Sequence, residues 1–112
     1  MLDNLFAHLP PAGAADEQFT ALLSEPGLVV QRIVSTGQAS PPGFWYEQAD
    51  AEWVLLVSGE ALLRFEDEAE ARRLRAGDWL NIAPRRGHRI EWTAIDVPTV
   101  WLTIHFPDAS GN

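Results

Sequence analysis

The 112-residue sequence contains no cysteine, and all of its basic residues are arginine. Without cysteine there is no disulfide framework, no thiolate zinc site and no cysteine nucleophile, so a metal would need histidine, carboxylate or amide ligands. No apolar run approaches the roughly 20 residues of a membrane-spanning helix. The first residues, MLDNLF, lack the basic end and long apolar core of a signal peptide. We therefore expect a cytoplasmic protein with no membrane partner.

Positive charge is scarce: 8 arginines stand against 16 acidic residues, and the formal net charge is −8. Nucleic-acid binding without sequence preference needs a positive surface that displaces counterions, so we expect no nucleic-acid partner. The arginines at 72–75 follow the acidic segment 66–70 directly, which predicts a hairpin whose opposite charges pair across the turn. Five tryptophans in so short a chain indicate a wide cavity or a buried surface between subunits, and we expect a homodimer.

The length predicts a single domain, and its segments predict mostly strands. Short β-branched and apolar stretches are separated by glycine or acidic turns, which indicates an all-β barrel or sandwich. The stretches are 28–35, 52–57, 61–65, 72–74, 79–82, 88–92 and 99–106. We divide the chain into an N-terminal extension (1–27), a β-barrel (28–106) and a disordered tail (107–112).

One short helix is expected within the extension, near residues 15–24. Acidic residues occupy the first turn of segment 16–23, its apolar residues share a helical face, and Pro26-Gly27 ends it.

Strand alternation predicts which side chains meet. Glu52 begins the face that continues with Val54 and Leu56, and His88 begins the face of Ile90 and Trp92. In the last strand one face is amphipathic, which suits a ligand cavity; it comprises Thr99, Trp101, Thr103 and His105. We therefore expect Glu52 and His88 to share a cavity, with His105 within reach of it. The structural alternatives are a solvent-exposed or arginine-paired Glu52 and a hydrogen-bonded core histidine at position 88.

From Glu52 onward these residues form a recognisable pattern. Glu52 followed seven residues later by Gly59, then Gly77-Asp78 followed by His88, resembles the two motifs of the cupin superfamily, over about residues 28 to 106. The chain is similar to small single-domain bacterial cupins of an uncharacterised subgroup. The resemblance implies a double-stranded β-helix, or jelly-roll barrel, commonly homodimeric, with a divalent metal held inside by the motif residues.

The chain departs from that pattern at the metal site. Cupins with a full site carry two histidines, separated by one residue, shortly before the motif glutamate. Here those places hold Trp45 and Glu47, or Tyr46 and Gln48 in the other register, so the three-histidine site is absent. Adjacent strand residues point to opposite faces, so Glu47 and Gln48 are alternatives for the pocket.

With an inward Glu47, the carboxylates and imidazole of Glu47, Glu52 and His88 would suit Mn, Fe, Ni or Zn, with Gln48 and His105 as further ligands. Aromatic residues and an arginine are expected around this site: Trp45, Tyr46, Trp92, Trp101 and Arg85. The leading hypothesis is a small barrel that binds a divalent metal, a small molecule or both in its pocket, with catalysis open. The alternative is metal-free small-molecule binding, or a structural dimer without catalysis.

Overall fold

The computed structural model describes residues 3–107, which form eight antiparallel β-strands. The strands are β1 (Gln18–Glu25), β2 (Leu28–Ser35), β3 (Ala51–Ser58), β4 (Glu60–Phe65), β5 (Arg72–Arg75), β6 (Trp79–Ile82), β7 (His88–Thr93) and β8 (Thr99–Phe106). A five-stranded sheet has the order β1-β2-β8-β3-β6, and a three-stranded sheet has the order β5-β4-β7. The all-β prediction is confirmed. The expected disordered tail lies, apart from Pro107, outside the described residues.

The predicted helix near residues 15–24 is wrong, because this segment is the edge strand β1. Pro26-Gly27 joins β1 to β2 in a tight turn in which Glu25 pairs with Leu28, and Gly27 has a φ of 77°. Proline followed by glycine at the two central positions is the order that type II turns favour. Segment 18–25 therefore folds back on β2 as a hairpin, and the larger sheet begins upstream of residue 28.

The core lies between the two sheets. On the inner face of the larger sheet, residues that pair directly across the strands form rows. The rows run Phe19, Ile33, Trp101, Leu56; then Ala21, Gln31, Thr103, Val54, Leu80; then Val29, His105, Glu52, Ile82. The smaller sheet faces them with Ala61, Leu63 and Phe65, each at most 1% exposed. The first row is apolar, while the third carries the only acid–imidazole pair of the three rows, so one end of the barrel interior is polar.

A β-bulge in β7 changes which of its side chains face inward. His88 pairs with Phe65 and Ile90 with Leu63, but the register then shifts so that Trp92 pairs with Leu62. One extra residue on a strand reverses the facing of the residues beyond it. Trp92 therefore lies on the outer side and is 36% exposed.

The N-terminal segment is attached to the outer side of the larger sheet through a buried arginine. The guanidinium of Arg32, 5% exposed, donates hydrogen bonds to the carbonyls of Leu5 (2.9 Å) and Ala7 (2.6 Å) and to the side chain of Gln18. Among the described residues, no helix is long and apolar enough to cross a membrane.

Gly59, in the turn between β3 and β4, lies so close to Thr99 of β8 that a larger residue should not fit there. Its φ is 92°, and a Cβ there would lie 2.5 Å from the Cα of Thr99. Gly77 has a similar φ of 96° with no atom within 4 Å of that position. Gly77→Ala should therefore cost only the left-handed strain of about 1–2 kcal/mol, and Gly59→Ala about 1–3 kcal/mol more from overpacking. Urea unfolding measures both; equal losses would show that the close approach to Thr99 is not restrictive.

Candidate functional site

The barrel interior contains a cavity of about 230 Å³, below the roughly 300–1,000 Å³ of drug-sized ligand sites. Residues from both sheets and from the loop before β3 line it. The polar lining residues are Glu17, Gln31, Tyr46, Gln48, Glu52, His88, Thr103 and His105; the apolar ones are Phe19, Ile33, Val54, Leu63, Ile82, Ile90 and Trp101. The cavity suits a small molecule with a polar end.

Glu52 is the centre of the polar cluster. It is 7% exposed, and the pairing of β3 with β8 places it directly opposite His105. Its Oε2 lies 3.5 Å from Nε2 of His105, and its Oε1 lies 3.8 Å from Nε2 of His88. Gln48 donates a hydrogen bond of 3.0 Å to Oε1. A buried carboxylate is thus in contact with an amide donor and two imidazoles, a set of groups that can accept, donate and relay a proton.

Two backbone connections hold this cluster in place. Tyr46 and His88 form an isolated antiparallel bridge with hydrogen bonds of 2.8 and 3.0 Å, and the Arg85 amide donates to the Gln48 carbonyl at 2.6 Å. Arg85 has a φ of 63°, the left-handed conformation that turns the chain at this point. The loop before β7 therefore fixes the segment from Tyr46 to Gln48, which brings Gln48 to Glu52.

The orientation of the His88 ring follows from its second hydrogen bond. Nδ1 lies 3.1 Å from the carbonyl oxygen of Arg86. A carbonyl oxygen can only accept, so Nδ1 carries the proton and a neutral His88 presents the lone pair of Nε2 to Glu52. In its neutral form His88 therefore places an acceptor atom next to the acceptor oxygen of Glu52.

The predicted site residues separate into two groups. Gln48, Glu52, His88, His105, Tyr46 and Trp101 line one cavity. Glu47 is exposed, so the Gln48 register is the one the structure adopts.

Three predicted pocket residues lie elsewhere. Trp92 is turned out by the β7 bulge. Trp45 packs on the outer side of the smaller sheet, where its ring centroid is 5.6 Å from the Arg64 guanidinium and 5.8 Å from that of Arg89. Arg85 contributes its backbone amide, and its side chain is exposed.

Sequence reasoning missed the contribution of β1 and of the residue just before it. Glu17 and Phe19 line the cavity, and Glu17 accepts a hydrogen bond of 2.6 Å from the hydroxyl of Ser35. Both were assigned to a helix, which hid them. The Pro26-Gly27 turn between two apolar stretches was the available signal, because a hairpin there extends the pocket wall by one strand.

The polar side chains of the site do not form a ready metal centre. In residues 3–107, no group of three or more His, Cys, Asp or Glu side chains has an arrangement that could hold a metal ion. Glu52 and the two imidazoles are close to each other, but Gln48 already occupies Oε1 with an amide hydrogen. The residues present do not fit a preformed metal centre.

An ion-pair cluster holds the loop before β7 against the smaller sheet. The Arg86 guanidinium lies 3.5 Å from the ring centroid of Phe65 and pairs with Asp67 (2.9 Å) and Glu68 (3.2 Å). The hydrogen bond from Arg86 lowers the pKa of Asp67, and the hydrogen bond from Arg72 lowers the pKa of Glu68. The predicted pairing across the acidic turn is present for Arg72 with Glu68, whereas Arg73 and Arg75 lie against Glu60 instead. The pairs made by Arg86 were not predicted, and they hold the residue whose carbonyl orients His88.

The fold and the pocket define a small double-sheeted β-barrel with a polar site in its interior cavity. Comparison with solved structures agrees. A protein of Ralstonia eutropha JMP134, provisionally named a mannose-6-phosphate isomerase, is 47% identical, with a TM-score of 0.92 over 96% of this chain and 99% of that one. A cupin protein of Bacteroides fragilis is 26% identical, with a TM-score of 0.67 over 94% of this chain and 89% of that one.

A cupin superfamily protein of Desulfitobacterium hafniense DCB-2 shares the fold at 20% identity, with a TM-score of 0.74 over 94% of this chain and 90% of that one. No family model and no curated protein matches the chain. The chain belongs to the cupin superfamily, and the resemblance seen in its motifs is confirmed.

The acid dependence of stability tests the ion-pair cluster. Carboxyls with a lowered folded-state pKa stabilise the fold fully above their ordinary values, near 3.8 for Asp67 and 4.5 for Glu68, and the stabilisation is lost as the pH falls through the lower folded-state values. Asp67→Asn should therefore flatten the acid side of the unfolding free energy measured by urea titration at a series of pH values. Glu70→Gln, in the same turn, is the control. An unchanged acid slope in Asp67→Asn would contradict the assignment.

Proposed function

We propose that this protein is a small-molecule-binding cupin that holds the polar end of its ligand against Glu52, His88, His105 and Gln48. The observation that carries the proposal is that the buried Glu52 carboxylate, the buried His88 imidazole and the partly buried His105 imidazole converge in one cavity that also has apolar walls. Small barrels enclose either side chains or one small ligand. A cavity of about 230 Å³ remains between these walls, so the interior is not filled by side chains.

Thr103 supports the same proposal. It is 2% exposed, it lines the cavity, and its Oγ1 has no hydrogen-bond partner among the described residues. A buried hydroxyl without a partner costs free energy, and the great majority of such groups in folded proteins are satisfied. A bound polar molecule would supply the missing partner.

A divalent metal is the second candidate that this polar cluster raises. The convergence of two imidazole nitrogens on one carboxylate favours it, and the ligands would be Glu52, His88 and His105. Two observations weigh against a metal: Gln48 donates a hydrogen bond to Glu52, and no three acidic or histidine side chains of the described residues are arranged to hold a metal ion. Metal-free binding is therefore the better-supported proposal.

The name of the Ralstonia eutropha relative suggests a sugar phosphate as ligand. The cavity lining contains Glu17 and Glu52 and no arginine. Two like charges about 5 Å apart repel by about 3 kcal/mol at an effective dielectric constant of about 20. The charges in this pocket thus argue against a phosphate group inside it.

Metal analysis together with ligand-observed NMR tests the proposal. Protein purified without a histidine tag should contain far less than one transition-metal ion per chain. A mixture of small amines, polyols and carboxylic acids should give binding signals that disappear in the Glu52→Ala, His88→Ala double variant and persist in Trp92→Ala on the outer side. One metal ion per chain, lost in the double variant, would instead establish a metal centre. Signals that persist in the double variant would place binding elsewhere.

We also propose a homodimer that forms through the outer face of the larger sheet. Apolar side chains from four strands lie there, with Trp79 exposed and the others half-buried: Val30, Trp53, Leu55, Leu102 and Ile104. The rings of Trp53 and Trp79 lie 6.3 Å apart, and Trp79 is 56% exposed. Large apolar faces of this kind are typical of obligate homodimer interfaces, and a second copy is the occupant we propose.

Sedimentation tests the dimer. Wild-type protein should sediment as a dimer at about 10 μM, and Trp79→Arg should shift it toward the monomer, because a charge in an apolar interface is costly. Ile95→Arg, in a loop where Ile95 is 71% exposed, is the matched control and should stay dimeric. A wild-type monomer at about 100 μM would contradict the proposal.

A further inference from the structure

The charges that line the cavity are all of one sign. Glu52 lies at the end of the pocket near β3 and β8, and Glu17 lies where β1 begins. The eight arginines of the chain are all absent from the lining, and seven of them have hydrogen-bond or ion-pair partners elsewhere. Only the imidazoles could supply positive charge from the protein side.

The hydrogen bonds of both carboxylates come from neutral donors. Gln48 donates to Glu52, and the Ser35 hydroxyl donates to Glu17 while it accepts from the indole N–H of Trp101 at 3.1 Å. A neutral donor satisfies a lone pair but leaves the negative charge uncompensated. Each carboxylate thus retains capacity for a charged partner that enters the cavity.

The tautomer of His88 also favours a ligand that donates hydrogen bonds. Its Nδ1 hydrogen points to the Arg86 carbonyl, so in the neutral ring the Nε2 lone pair faces Oε1 of Glu52 at 3.8 Å. Two acceptor atoms at this separation repel unless a hydrogen-bond donor bridges them. A group with several N–H donors and a positive charge can compensate the charge of the carboxylate and also donate a hydrogen bond to each of the two acceptors.

The remaining walls suit an organic cation. Trp101, Tyr46 and Phe19 line the cavity, and a cation near such rings is attracted by the negative face of the π-system. Ile33, Val54 and Leu63 provide apolar surface for a hydrocarbon body. The lining is therefore aromatic, apolar and acidic.

We propose that the ligand of this pocket is a small organic ammonium compound, with its N–H donors on Glu52 and Nε2 of His88 and its hydrocarbon body on the Trp101 side. This inference rests on the proposed function, since it specifies the charge class of the molecule that the pocket binds. A primary amine of about seven heavy atoms is the size expected for a cavity of about 230 Å³.

Three compounds with the same ring and a substituent of different charge test the proposal: cyclohexylamine, cyclohexanol and cyclohexanecarboxylate. Binding is measured by chemical-shift titration of the amide spectrum of the full chain. The amine should bind at least about tenfold more tightly than the alcohol, which corresponds to about 1.4 kcal/mol, and the carboxylate should bind more weakly than either. Mannose 6-phosphate should bind more weakly than mannose, because its phosphate meets the same carboxylates.

Matched variants assign the effect to the pocket. Glu52→Gln keeps the shape of the side chain and should weaken amine binding at least about tenfold, and it should weaken alcohol binding much less, because the alcohol loses a hydrogen-bond acceptor but no charge partner. Glu47→Gln removes the same charge from an exposed neighbouring position and should have no effect. Thermal melting of both variants shows whether each is folded, and Glu17→Gln serves as a second pocket variant if Glu52→Gln is not.

Two classes of result would overturn the inference. Tighter binding of the carboxylate or of mannose 6-phosphate than of the amine, or no amine binding at about 10 mM, would show that the pocket does not select cations. Amine binding that is equally strong in Glu52→Gln would show that the carboxylate is not its partner. If the alcohol or mannose binds in the pocket while the amine does not, the proposed binding function stands and this inference alone fails.

Discussion

The site depends on the burial of one charged group, the carboxylate of Glu52, inside a barrel of little more than a hundred residues. A buried carboxylate is tolerated only with hydrogen bonds or opposite charge around it. Here the amide of Gln48 donates a hydrogen bond to it, and the imidazoles of His105 and His88 lie 3.5 and 3.8 Å from its oxygens. Each of the three groups comes from a different part of the chain. The rest of the barrel can be understood as the framework that brings these three groups to one place.

Each partner is positioned by backbone structure. His105 faces Glu52 through the register of β3 with β8, which a slip of one residue would reverse. Gln48 has no strand of its own and depends on the Arg85 amide, while the Tyr46–His88 bridge holds the segment before it. The loop before β7 is in turn fastened by Arg86, which stacks on Phe65 and pairs with Asp67. Substitutions in the acidic turn should therefore alter the position of this loop, and with it the position of His88 and Gln48 in the pocket.

Local sequence patterns predicted much of this arrangement. Alternation in 52–57 placed Glu52 inward, and the amphipathic face of the last strand correctly contained Trp101, Thr103 and His105. The prediction that Trp92 faces the pocket is wrong because strand alternation assumes an unbroken register. The bulge that breaks the register depends on pairing with the partner strand, which the sequence alone does not show. The helix predicted for residues 15–24 is wrong because a short stretch of mixed apolar and polar residues fits both the helical and the strand period, and pairing with β2 decided the outcome. Whether Glu47 or Gln48 faces the pocket depends on the tertiary contact with the Arg85 amide, which the sequence does not show.

The central claim is that His88 and His105 both contact one buried carboxylate, and the ¹⁵N chemical shifts of the imidazole nitrogens test it most directly. The chain has only three histidines, so each resonance can be assigned, and His8 in the N-terminal segment is an internal reference. At alkaline pH, where a free imidazole is neutral, His88 should carry its proton on Nδ1. Glu52→Gln should shift the resonances of His88 and His105 and leave His8 unchanged. A proton on Nε2 of His88, with no response of either ring to Glu52→Gln, would contradict the account.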